Sequence, residues 1–176
     1  LLQALDSVGL TEKDIKPVLL QHPDGYRALV SGQVDAWAGL DPHMAKGELE
    51  TQTPLFYRNA DLNTYGILNV REEFSTKFPL LVKKVLKIYE ENRLHAIKNP
   101  NELKQSLIKA VKLSDAVAQK QLNERTDITN PNIGPKQINT FLTAGNILQK
   151  IGIIKASVSI KDVVNELVDT SFLSKN

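Results

Sequence analysis

The sequence predicts an α/β fold. Short apolar runs alternate with helical periodicity over residues 1–60. Glycine, proline and aspartate punctuate those runs at short spacing, and beyond residue 72 the apolar residues keep helical spacing alone. A strand–helix–strand rhythm at such spacing usually yields parallel strands.

The elements follow in order. Leu1, Leu2, Leu5 and Val8 share one face of a helix that Gly9 ends. Thr11-Glu12-Lys13-Asp14 reads as a short turn with the character of a helix start. Residues 15–20 read as a strand, with Pro17 near its beginning. His22-Pro23-Asp24 breaks it. Asp24 is placed as the N-cap of a helix that carries Tyr26, Leu29 and Val30 and ends at Ser31-Gly32. Residues 34–38 read as a second strand, buried by its residue types. Asp41-Pro42 opens a helix with proline in its first turn, and residues 55–57 read as a third strand.

The pattern changes at Asn59-Ala60-Asp61. Residues 65–70 read as one more strand and 72–78 as a short helix. Pro79 opens a long helix, with Leu81, Val82, Val85, Ile88, Tyr89 and Ile97 at helical spacing. Asn99-Pro100 stops it. Asn101 is placed as the cap of a helix through Lys112, and Ser114 as the cap of another to about Arg125. Residues 129–132 form a loop, 135–151 a helix closed by Gly152, 158–160 an extended piece and 161–167 a last helix. The expected division is an α/β segment over 1–60 and a crossing strand with C-terminal helices over 61–176.

Composition excludes several functions. The 176 residues are 41% hydrophobic and 24% charged, an ordinary globular balance, with a formal net charge of +2. That charge is too small for nucleic acid or a membrane surface, and the basic residues are interleaved with acids, as in Arg71-Glu72-Glu73. No cysteine is present, so thiolate metal sites, disulfides and a cysteine nucleophile are excluded. The sequence shows no spanning apolar run, phosphate loop, nucleophile elbow or metal motif. No cofactor is expected. The chain opens inside a helix without a cap, which predicts a further segment upstream.

The candidate binding residues lie where apolar runs end. His22 and His43 sit where a predicted strand gives way to a helix, the place ligands occupy in α/β sheets; both also fit as plain loop residues. His95 reads as a solvated helix residue. Trp37, the lone tryptophan, is equally a core residue or part of a cleft wall. Asp41 suits an N-cap, a role compatible with ligand contact. Asn63 and Tyr65 stand at the change of pattern, as cleft residues or as self-satisfied loop. Glu48/Glu50 and Glu90/Glu91 lie on helix surfaces, without an apolar pocket to raise a pKa.

The run Ala28-Leu29-Val30-Ser31-Gly32-Gln33-Val34-Asp35-Ala36-Trp37, followed by Asp41-Pro42, resembles the periplasmic substrate-binding proteins of sulfonate, taurine, nitrate and bicarbonate ABC importers. Leu2-Gln3-Ala4-Leu5-Asp6-Ser7-Val8-Gly9-Leu10 is similar to a helix of that family. So are residues 64–70 with Arg71 and Phe74, the Asn99-Pro100 stop and Ile151-Gly152-Ile153-Ile154. Leu40 departs from the pattern, standing where the family usually has a tryptophan.

The resemblance implies part of a two-lobe, type II periplasmic-binding-protein fold. Residues 1–60 would be the remainder of lobe II, and 61–176 would cross back and pack helices on lobe I. It implies an extracytoplasmic receptor for a small anionic or zwitterionic solute, such as an alkanesulfonate, taurine or nitrate. That receptor would serve an ABC permease from the periplasm or the outer face of the membrane, with a signal or lipid anchor upstream. The cleft wall would hold Asp24, Trp37, Asp41, His43, Asn63 and Tyr65. Asp41 would suit an amine and His43 an anion. Two alternatives stand beside it: an enzyme on the same fold, similar to thiamine-pyrimidine synthases or desulfinases, and a helical interaction module over 72–176.

Overall fold

The structure is a computed structural model, and it describes residues 1–62 and 65–172. The described residues are helical and contain no strand, which overturns the α/β prediction. The helices are α1 (Leu2–Asp6), α2 (His22–Val30), α3 (His43–Glu50), α4 (Glu72–Lys77), α5 (Pro79–Lys98), α6 (Pro100–Val111), α7 (Asp115–Arg125), α8 (Pro135–Lys150) and α9 (Ile160–Leu167). Two 3₁₀ turns, Glu12–Asp14 and Ala60–Leu62, complete the list among the described residues.

Every run read as a strand is irregular backbone. A strand exists only through the ladder it makes with a neighbour, and none of these runs has such a partner among the described residues. Their side chains stay largely in solvent: Leu19 is 95% exposed and Phe56 80%. Residues 34–38, expected to be buried, hold a half-buried Val34 and Trp37 among exposed neighbours. Of residues 158–160, Ser159 caps α9 and Ile160 opens it as a buried residue.

The helices follow their punctuation. Thr11 closes the first 3₁₀ turn as a capping box with Asp14, and those two hydrogen bonds from Thr11, backbone first, hold the Asp14 carboxyl below its usual range. Helix α2 begins earlier than expected, with Gln21 as N-cap and Pro23 in the first turn, so Asp24 lies inside the helix. It ends in a Schellman motif: Gly32 N–H donates to Leu29 O and Gln33 N–H to Ala28 O, at 3.1 and 2.8 Å. Gly32 has φ +70°, which a side chain would strain. Helix α8 ends the same way at Gly152, φ +80°. Ser114 and Ser159 accept from the third residue beyond them and cap α7 and α9. Asn99, not Asn101, is the N-cap of α6, with Pro100 as its first helical residue.

The chain divides into two packing units. The first comprises Leu1–Arg58 with Lys98–Ile128. In it α2 packs on α3, α3 on α7 and α6 on α7. The buried residues of these helices are mostly small: Gly25 and Ala28 of α2, Ala45 and Gly47 of α3, and Ala118 of α7, with Val117 beside it. The second comprises Asn59–Ile97 with Thr129–Asn176. There α8 packs on α9, around buried Ile160 and Val164. Gly145 of α8 makes that approach possible, since a Cβ there would come within 2.5 Å of Ile160 Cγ2. Gln149 ties the following loop down by donating to the carbonyls of Lys155 and Val158 at 3.0 and 2.8 Å. In the same unit Arg93 makes a two-pronged bond to Glu90, both prongs 2.7 Å, and reaches Thr129 O at 3.0 Å. The Glu90 hydrogen bond raises Arg93 above its ordinary pKa and lowers Glu90 below its own.

Candidate functional site

Four rings form a chain in the first unit. His22, the first residue of α2, meets Trp37 edge to face at 6.3 Å between centroids. Trp37 meets Tyr26 at 6.1 Å, and Tyr26 stacks on His43, the first residue of α3, at 6.1 Å and 27°. Two glycines make room for the indole. A Cβ at Gly25 would lie 2.3 Å from Trp37 Nε1, and one at Gly39 2.6 Å from Trp37 Cζ3. The helix thus presents bare backbone to one edge of the indole, and the loop presents bare backbone to the other. Lys46, one turn beyond His43, places Nζ 5.9 Å from the Tyr26 ring centroid.

The two charged neighbours that act on His43 are both basic. His43 is half-buried, and its pKa is lowered from the ordinary 6.5, first by burial and then by the charges of His22 and Lys46. The lowered pKa favours the neutral imidazole, which donates one hydrogen bond and accepts another. Beside α2 lies an open depression of about 500 Å³, bordered by Leu20, Asp24, Tyr26, Arg27, Val30 and Gln33. Tyr26 belongs both to this depression and to the ring chain.

Asp41 has a different environment. Its Oδ1 accepts from Ala45 N–H at 3.0 Å and from Arg125 Nη1 at 2.8 Å. It therefore caps α3 in effect, from one residue before the N-cap Pro42. Arg125, at the end of α7, has a side chain only 4% exposed and also bonds Glu48. Burial alone would depress the Arg125 pKa, but the Asp41 hydrogen bond and the Asp41 and Glu48 charges outweigh it and raise it. Lys120 reaches Glu48 at 3.5 Å and Glu124 at 2.9 Å, and its pKa is raised chiefly by the Glu124 hydrogen bond. Two residues of α7, Lys120 and Arg125, thus clamp α3.

Of the residues expected to line a cleft, Trp37 and His43 are brought together through Tyr26, and Asp41 adjoins them at the start of α3. Asp24 is exposed and paired with Arg27 on its own helix. Tyr65 is half-buried in the second unit. Asn63 lies outside the described residues. Tyr26, Lys46 and Arg125 were not singled out by the sequence. Tyr26 carried a signal, its place one helical turn after His22. Arg125 carried none, being 84 residues from Asp41. Among the described residues, no three or more His, Asp or Glu side chains gather as a metal site, and no helix is long and apolar enough to cross a membrane.

A stretch of 66 residues is 38% identical to a protein of Escherichia coli (strain K12) named "Putative aliphatic sulfonates-binding protein". The similarity spans 38% of this chain and 21% of that protein's length. No family model matches the chain. No solved structure matches it.

Proposed function

We propose that the chain is part of an extracytoplasmic solute-binding receptor of an ABC importer, taking a small anionic or zwitterionic solute such as an alkanesulfonate, taurine or nitrate. The observation that carries this reading is the 38% identity over 66 residues to a protein named for binding aliphatic sulfonates. The ring chain supports it: Trp37 and Tyr26 offer an apolar bed to a short aliphatic body, and neutral His43 offers a donor to an oxyanion. The chain catalyses no reaction of its own. It works outside the cytoplasmic membrane and hands solute to a permease.

Within the site, Trp37 and His43 meet the solute. Asp41 acts indirectly, because its carboxylate is already engaged by Arg125 and by the start of α3. A ligand that binds only the folded chain raises its melting temperature by mass action. A thermal-shift series with ethanesulfonate, taurine and nitrate at constant ionic strength therefore tests the reading. A dose-dependent rise with at least one of them supports it; flat melting temperatures up to millimolar solute contradict it.

A further inference from the structure

We propose that His22, His43 and Lys46 form one oxyanion site across the Trp37–Tyr26 ring pair. This rests on the receptor reading above and gives that receptor its anion-holding groups. Each of the three side chains neighbours a ring of the pair: between ring centroids His22 lies 6.3 Å from Trp37 and His43 6.1 Å from Tyr26, and Lys46 Nζ lies 5.9 Å from the Tyr26 centroid. The Trp37–Tyr26 pair thus carries a nitrogen-bearing side chain beside Trp37 and two beside Tyr26, and the charges of His22 and Lys46 both reach His43.

Most acids on the packed elements are paired outside the three groups; Glu50, beside Lys46, and Asp35 are the exceptions. Helix α3 packs on α2 and α7. On α2, Asp24 pairs with Arg27. On α3, Glu48 pairs with Arg125 and Lys120, and on α7 Glu124 pairs with Lys120. Asp115, at the start of α7, pairs with Lys104, and Asp41, before α3, with Arg125. Glu50 stands 3.7 Å from Lys46 with 43% of its side chain exposed, a contact that solvent screens. Asp35, on the loop that carries Trp37, is exposed. The charges that act on His43 are those of His22 and Lys46, both repelling a proton. An oxyanion placed among the three groups reverses that sign and favours protonated His43. Binding and protonation are then reciprocal: the anion takes up a proton at His43, and acid tightens the anion.

The test is an ethanesulfonate titration of the full chain at pH 8 and pH 5.5 and constant ionic strength, followed by the imidazole proton signals of its three histidines. The expected result is a dissociation constant at least about threefold lower at pH 5.5, with the His43 titration moved upward by ethanesulfonate. His43→Gln should bind with a smaller pH dependence, and Lys46→Met should bind more weakly at both pH values. Circular dichroism checks that the variants fold; if His43→Gln does not, the histidine signals of the parent chain decide alone. Binding of equal strength at both pH values, with the His22 and His43 signals unmoved, overturns this site and leaves the receptor reading standing. Absence of ethanesulfonate binding at both pH values overturns this site; the receptor reading falls only if taurine and nitrate also leave the melting temperature flat.

Discussion

At the scale of single residues, two side chains dominate the first unit in different ways. Arg125 is nearly inaccessible and holds two carboxylates, Asp41 at 19% and Glu48 at 24% side-chain exposure. Removing it leaves both acids half-buried without their main counter-charge. Arg125→Met is expected to cost about 3–4 kcal/mol in urea unfolding, the lower part of the range for breaking a buried pair. Lys104→Met, whose partner Asp115 is 65% exposed, is expected to cost less than about 1 kcal/mol. Equal losses would contradict the clamp.

His43 makes stability depend on pH. Its folded pKa lies below the unfolded value near 6.5, so below that pH the unfolded chain binds more protons than the folded one. The contribution is complete above about pH 6.5 and is lost as pH falls through the folded pKa. Melting temperature should therefore drop more steeply between pH 7 and 5 for the parent chain than for His43→Gln, and parallel profiles would contradict the assignment. The sequence showed His43 at a useful place, at the end of an apolar run. It could not show that His22 and Lys46 would act on it, because His22 is set 21 positions away by a fold that brings two helices together.

At the scale of elements, the helices were legible and the strands were not. From α4 to α9 the helical spacing of apolar residues, the prolines at starts and the glycines at ends are local signals, and they placed those helices to within a few residues. The runs at 15–20, 34–38, 55–57 and 65–70 carry the residue types of strands, yet a strand depends on a partner that composition does not specify. The site inherited this error in part. Trp37 was expected on a strand, and it instead rests on a loop between Gly25 and Gly39. The close contact of α8 and α9 was equally silent in the sequence, since Gly145 looks there like a weak helix former. A methyl group at this position would meet Ile160 at 2.5 Å. Gly145→Ala, which raises intrinsic helix propensity, is nonetheless expected to destabilise the second unit by about 1–3 kcal/mol through overpacking. A gain in stability by thermal unfolding would contradict that packing.

At the scale of the whole molecule, the chain brings helices with mostly small buried residues, a buried guanidinium and a ring chain into one unit, while its second unit holds α8 and α9 together around Ile160 and Val164. The ring chain is the part on which the proposed receptor reading places the solute. It also contains the one tryptophan of the sequence. Indole emission therefore reports on the candidate site alone. The most direct test is a fluorescence titration of the chain with ethanesulfonate at constant ionic strength and pH 6. The account expects a saturable change in Trp37 emission that His43→Gln weakens. Emission that stays flat, or that drifts linearly without saturation, in a chain shown to be folded would contradict the claim that this corner binds the solute.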